Sequence, residues 1–131
     1  MRLLLDTHIW VWSVIERQRL SARVIRELED SETELWLSPL SLWEVFLLCR
    51  KRRLALDPDP ETWVHNALKL APLRAADMSY EVARETERFE LAHRDPVDKF
   101  LVATARVLEL TLVTADENLI KAKTVAVFAN R

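Results

Sequence analysis

Short segments that are rich in apolar residues, and too short for a helix, recur along the chain. The first covers residues 3–5 and ends at a carboxylate, Asp6. Such a run is typical of a strand that is buried on both faces, the kind found inside parallel sheets. The strongest later strand candidate is 110–114, and further candidates lie at 34–38, 72–76 and 124–128.

The segments between these strand candidates contain apolar residues at helical spacing and residues that typically cap helices. Ser38 followed by Pro39 places a serine at a helix cap and a proline at the first helical position. Strands that alternate with helices throughout predict an α/β layered fold with a mostly parallel sheet. No linker or repeat interrupts residues 1–131, so we expect one domain. The predicted helices cover 9–15, 21–30, 39–50, 61–70, 79–91, 95–108 and 116–122.

Composition narrows the possible functions. The formal net charge of −2 gives the chain as a whole no attraction for nucleic acid, so such a partner must be met by a local basic patch. The absence of glycine excludes a P-loop and the dinucleotide-binding fingerprint. The single cysteine, Cys49, excludes an intrachain disulfide. With no signal peptide and no membrane-spanning segment in the sequence, we expect a cytoplasmic protein.

Two carboxylates directly follow predicted strands. Asp6 ends the first strand, and Asp116 comes just after the run at 110–114. The carboxyl ends of parallel strands meet at one edge of the sheet, where ligands bind in open α/β sheets. An N-cap for the short helix that follows is an equally good interpretation of Asp116.

Glu44 is the only charge in the otherwise apolar part of the third helix, between Pro39 and Cys49. A carboxylate on an apolar helix is costly unless something pairs with it. The alternative is a capping box formed by Ser41 and Glu44. Because Pro39 places the cap at Ser38, Glu44 falls inside the helix, which favours a functional role.

A further acidic pair lies where the long helix 95–108 begins. Asp95 precedes Pro96 and is explained as a helix cap. Asp98 is open to a similar interpretation, since an acid in the first turn favours the helix N-terminus. It also heads an apolar stripe that faces the core, however, so we expect it to be functional.

Asp6, Glu44, Asp98 and Asp116 are all predicted at the same edge of the sheet. Converging carboxylates raise one another's pKa unless a cation lies among them. Oxygen ligands without Cys or clustered His suit Mg²⁺ or Mn²⁺. Such ions activate water and stabilise charge on a phosphoryl group, which is the chemistry of phosphodiester hydrolysis.

We expect mainly structural roles for the histidine and tryptophan residues. The three histidines are not spaced as a zinc site, although His8 follows Asp6 closely enough to touch a substrate. The five tryptophans are expected to pack in the core or at a subunit interface. Stacking on nucleic-acid bases is the alternative for them.

Four ordered motifs carry a family resemblance: LLDTH at 4–8, SLWE at 41–44, HRDPVDK at 93–99 and LVTADE at 112–117. They resemble PIN-domain proteins, and most closely the bacterial VapC-like toxin ribonucleases of type II toxin–antitoxin pairs. The resemblance implies a three-layer α/β/α sandwich with a central, mostly parallel sheet. It also implies Mg²⁺- or Mn²⁺-dependent cleavage of RNA, a cognate antitoxin and a homodimer.

The resemblance assigns roles to individual residues. Asp6, Glu44 and Asp98 match the three core acids, and Asp116 matches the fourth. Thr7 and Thr114 match the hydroxyl positions beside them. Asp95 is expected to cap a helix or to support the metal ligands.

Contacts with the RNA substrate are expected mainly from basic residues. The densest basic cluster is Arg50, Lys51, Arg52 and Arg53, for which a solvated helix end is the alternative. Two other classes of function stay open: a non-catalytic PIN-like dimerisation or binding module, and a receiver-type phosphoacceptor domain. The residues expected to contact RNA are His8, Lys99, Arg50, Arg52 and Arg53.

Overall fold

A computed structural model describes all residues from Met1 to Arg131 and is built on a five-stranded sheet. The strand order is β3-β2-β1-β4-β5, and every neighbouring pair is parallel. The strands are β1 (Arg2–Leu5), β2 (Glu34–Leu37), β3 (Leu73–Ala75), β4 (Thr111–Thr114) and β5 (Val127–Ala129). The helices are α1 (Thr7–Ile15), α2 (Ala22–Glu29), α3 (Pro39–Arg50), α4 (Pro60–Ala67), α5 (Tyr80–Glu85), α6 (Pro96–Leu108) and α7 (Glu117–Ala122).

The central strand β1 separates two apolar cores. Leu3 and Leu5 face the core shared with α1 to α4, whereas Leu4 faces the core shared with α5, α6 and α7. Successive side chains on a strand point to opposite faces, so an all-apolar strand must be covered on both. This arrangement confirms the expected α/β/α layering around a parallel sheet.

Most of the predicted elements are present, and the differences have local causes. The predicted helix 79–91 is shorter, because α5 ends at Glu85 and a 3₁₀ turn follows at Thr86–Arg88. Phe89 is then extended and buried in the core beside α6. Burying an aromatic side chain outweighs the preference of the segment to continue as a helix. The helix predicted at 61–70 spans Pro60–Ala67 instead.

None of the seven helices combines the length and the hydropathy that a crossing of a lipid bilayer requires.

The chain makes left-handed turns without glycine. Arg52, Glu109 and Lys123 have φ values of 57°, 55° and 55°. Glu109 ends α6, where its N–H donates to the carbonyl of Ala105. Glycine is the usual residue at such a helix end, because a Cβ atom in this conformation costs on the order of 1 kcal/mol.

We therefore expect Glu109→Gly to raise the free energy of unfolding by about 0.5–1 kcal/mol. Relief of the left-handed strain exceeds the extra entropy that glycine gains in the unfolded chain. Urea unfolding followed by circular dichroism measures the change. Glu109→Ala is the matched control, since it removes the charge but keeps the Cβ atom. An equal gain in the alanine variant would assign the effect to charge rather than to the backbone.

Candidate metal centre

Asp6 lies at the carboxyl end of β1 and is held from three sides. Its backbone N–H donates to the carbonyl of Val113, which extends the ladder between β1 and β4. Its Oδ1 accepts a hydrogen bond from the N–H of Thr7 at 2.8 Å and so caps α1. Its Oδ2 accepts one from Thr114 Oγ1 at 2.7 Å. Asp6 is 8% exposed, and these hydrogen bonds fix the orientation of its carboxylate.

Thr7 connects α1 to the helix that carries Glu44. Its buried hydroxyl donates to Ser41 Oγ at 3.0 Å. Ser38, not Ser41, caps α3, because Ser38 Oγ accepts the N–H of Leu40. The capping-box interpretation of Glu44 is therefore wrong. Ser41 is a supporting residue that the sequence analysis missed.

The acids at the starts of α6 and α7 are positioned by the helix N-termini, as Asp6 is at the start of α1. Asp95 caps α6 by accepting the N–H of Val97 at 2.9 Å. Asp98 lies within the first turn of that helix and is 7% exposed. Asp116 caps α7, and its own N–H donates to Thr114 Oγ1 at 3.0 Å. Thr114 thus holds both Asp6 and Asp116.

These residues converge on one cavity of about 300 Å³, which we call the acidic cavity. Asp95 and Asp116 each cap a helix, as one interpretation of the sequence predicted, and each also lines the cavity. No lysine or arginine lines it. The lining residues are Asp6, His8, Trp12, Glu44, Asp95, Asp98, Ala115 and Asp116.

Burial and mutual repulsion act on the acids in the same direction. Burial raises the pKa of Asp6, against the hydrogen bond from Thr114. Burial also raises the pKa of Glu44, and the charges of Asp6 and Asp95 add to this. The pKa of Asp98 is raised to about 7 by burial and by the neighbouring charges of Asp6, Asp95 and Asp116, although the hydrogen bond with His93 opposes this. Such a cluster is stabilised by a cation among the carboxylates.

The donor set fits a hard divalent cation. The cavity presents five carboxylates and no thiolate, which suits Mg²⁺ or Mn²⁺ better than softer metals. Candidate ligand atoms of His93, Asp98 and Asp116 lie within 4.8 Å of one another. Oxygen atoms from two helix starts are therefore close enough to share one ion.

His93, which the sequence analysis treated as structural, is the hydrogen-bond partner of Asp98. Its Nε2 lies 2.7 Å from Asp98 Oδ2. Its Nδ1 is buried and has no hydrogen-bond partner. A proton on Nδ1 would be buried without an acceptor, so the favoured tautomer carries it on Nε2 and donates to Asp98. The hydrogen bond with His93 thus orients the Asp98 carboxylate.

We expect His93→Leu to weaken the binding of Mn²⁺ by about 10- to 100-fold, since partners that orient a ligand contribute this much. His93→Gln keeps an N–H donor and should lose less. Isothermal titration calorimetry measures both affinities. Wild-type affinity in the leucine variant would show that His93 only fills space.

Most of the residues predicted to contact RNA do not line the acidic cavity. Lys99 Nζ donates to the carbonyl of Phe89 at 2.8 Å and lies over the Phe89 ring. Arg50 is the last residue of the helix that carries Glu44, Arg52 and Arg53 follow that helix end, and all three are exposed. Of the five residues expected to contact RNA, only His8 lines the cavity.

The fold and this site define a chain of the PIN type. The PIN domain family model matches residues 3–125, so the chain belongs to the PIN domain family. This assignment confirms the family resemblance and removes the receiver-type alternative. No curated protein sequence matches the chain.

Solved structures with the same fold extend over almost the whole chain. It is similar to VapBC2 from Rickettsia felis bound to a promoter DNA fragment, with a TM-score of 0.74 and 15% identity over 98% of each chain. It is also similar to DNA-bound VapBC from Salmonella typhimurium, with a TM-score of 0.70 and 17% identity over 100% of this chain and 99% of that one. For FitAcB from Neisseria gonorrhoeae the TM-score is 0.64, with 24% identity over 96% of each chain.

Proposed function

We propose that this PIN domain is a divalent-metal-dependent endoribonuclease that hydrolyses RNA phosphodiester bonds. The observation that carries the proposal is the convergence of Asp6, Glu44 and Asp98, with Asp116, on one cavity that no lysine or arginine lines. Packing Asp6, Glu44 and Asp98 together destabilises the metal-free protein, because burial and neighbouring charges raise the pKa values of these three carboxyl groups. A purely structural binding module gains nothing from that cost.

Asp6, Glu44, Asp98 and Asp116 are the residues that would hold Mg²⁺ or Mn²⁺. When bound, the ion supplies an activated water and charge stabilisation on the phosphoryl group. The chain's own contribution is to orient these ligands. Thr114 holds Asp6 and Asp116, the Thr7–Ser41 hydrogen bond joins α1 to the helix of Glu44, and His93 holds Asp98.

We further propose that the chain is the toxin component of a toxin–antitoxin pair and forms a homodimer. The similar solved structures support the first part, since they include a toxin–antitoxin complex from Klebsiella pneumoniae, with a TM-score of 0.64 and 21% identity. The exposed side of α3 supports a protein partner: Trp43 is 50% exposed there although the surrounding helix is apolar. A cytoplasmic location follows from this role.

The basic cluster Arg50, Lys51, Arg52 and Arg53 is proposed to contact RNA away from the cleaved bond. Arg50 lies about 9 Å along the helix axis from Glu44, at 1.5 Å per residue. None of the four side chains forms an ion pair within the chain. They are free to meet phosphates of a longer substrate. Lys99 would have to leave the Phe89 carbonyl to do the same.

The test is cleavage of single-stranded RNA by the purified protein with Mg²⁺, with Mn²⁺ and with EDTA. We expect internal cleavage with either ion and none with EDTA. Protein that is stabilised by Mn²⁺ but leaves every RNA intact would be a binding module rather than an enzyme.

A further inference from the structure

Two aromatic side chains line the acidic cavity beside its carboxylates. His8 and Trp12 lie four residues apart on α1, so they share one face of that helix. Their ring centroids are 5.7 Å apart, with the planes inclined by 52°. Trp12 also packs against the core, whereas His8 is exposed. The two rings form an aromatic wall on the α1 side of the cavity.

The Trp12 ring is held in place by its neighbours. The guanidinium of Arg19 lies 5.2 Å from the centroid of the Trp12 ring. Arg19 Nε is itself paired with Glu16 Oε2 at 2.7 Å. A ring that is fixed before its ligand arrives loses little entropy on binding.

Charge indicates what this wall contributes. The cavity is lined by five carboxylates and by no lysine or arginine. Ion pairing with a lysine or arginine of the cavity lining therefore provides no affinity for a nucleotide. Stacking of a base on an aromatic ring does not depend on net charge, and it tolerates every base because each has a π-face. The aromatic wall is the feature of the cavity that recognises a nucleotide without its phosphate.

We propose that Trp12 and His8 form a nucleobase-binding subsite, which takes the base next to the cleaved phosphodiester in single-stranded RNA. The inference rests on the proposed function and adds the part of the substrate that the acids leave unrecognised. Double-stranded RNA is excluded from the subsite unless the base leaves the duplex, since a paired base is already stacked on its neighbours.

The test measures KM and kcat for a short single-stranded RNA with Mn²⁺ as the metal. We expect Trp12→Leu to raise KM between about fivefold and a hundredfold, the effect of losing one base–aromatic stack. The value of kcat should stay within about twofold, because the acids are untouched. Trp12→Phe keeps a ring and should lose less. Tyr80→Leu is the control, since Tyr80 is 92% exposed and lies outside the cavity.

An abasic nucleotide in the RNA completes the test. Removing the base beside the cleaved bond should raise KM for the wild-type protein as much as Trp12→Leu does. Combining the two changes should then add nothing further, because both remove the same contact. Fully additive losses, or an unchanged KM in Trp12→Leu protein, would overturn the subsite. Melting temperatures confirm that each variant is folded.

Failure of the subsite is separable from failure of the proposed function. If the wild-type protein cleaves RNA with Mn²⁺ but the two changes are additive, the nuclease assignment stands and the subsite does not. If the wild-type protein leaves RNA intact, the proposed function fails, and the subsite fails with it.

Discussion

Asp98→Asn is expected to abolish metal-dependent RNA cleavage while the fold stays intact. The asparagine side chain keeps the shape of the aspartate but removes the charge that a divalent ion requires. Stabilisation by a metal ion is worth several kcal/mol in the transition state, so we expect a loss of about a thousandfold or more. Asp6→Asn should have the same effect, because Asp6 lies beside Asp98 in the cavity.

Single-turnover cleavage of RNA at saturating Mn²⁺ measures this loss. The matched control is Asp77→Asn, which makes the same chemical change at an exposed position outside the cavity. Circular dichroism and thermal melting establish that each variant is folded. Cleavage near the wild-type rate by either cavity variant would remove Asp6 and Asp98 from the metal centre.

The metal-free protein is expected to become less stable as the pH rises from about 4 to 7. Asp98 has an ordinary pKa of 3.8 and a pKa of about 7 in the folded protein. The folded state therefore binds this proton more tightly than the unfolded state does. The resulting stability is complete below the unfolded pKa and is lost as the pH passes through the folded one. The loss is on the order of a few kcal/mol, at 1.36 kcal/mol per pKa unit. Asp6 and Glu44 act in the same direction.

Urea unfolding in EDTA at pH 5 and pH 8 measures this difference. Asp98→Asn should be more stable than wild type at pH 8, and its stability should depend less on pH. The reason is that asparagine has no carboxyl group whose ionisation is opposed by burial and by neighbouring charges. Added Mn²⁺ should raise the melting temperature of wild type at pH 8, since only the folded state brings the ligands together. The same addition should affect Asp98→Asn less. Equal stability of wild type at both pH values, or an equal response of the two proteins to Mn²⁺, would contradict a shared metal site.

The central strands and the helix starts are local features, and the pattern of residues along the chain predicted them correctly. The apolar run at 3–5 identified β1, because a strand covered on both faces carries no polar alternation. The segment at 110–114, with its leucine, valine and threonine residues, identified β4. Ser38 before Pro39 and Asp95 before Pro96 marked the starts of α3 and α6, because capping is decided within one helical turn. The acids that follow these local signals were therefore placed correctly at one edge of the sheet.

Interactions between residues that are distant in the sequence depend instead on the packing of the whole chain. Thr114 reaches Asp6 across 108 residues, and Thr7 reaches Ser41 across 34. Such pairs depend on how the strands are ordered and how α1 packs on α3, which local propensity does not encode. His93 illustrates the same limit: its approach to Asp98 depends on the irregular segment after Phe89, where core packing ended a helix that the sequence favoured. The positions of the acids could be predicted from local sequence signals. The residues that hydrogen-bond to these acids are brought to them only by packing across the sheet.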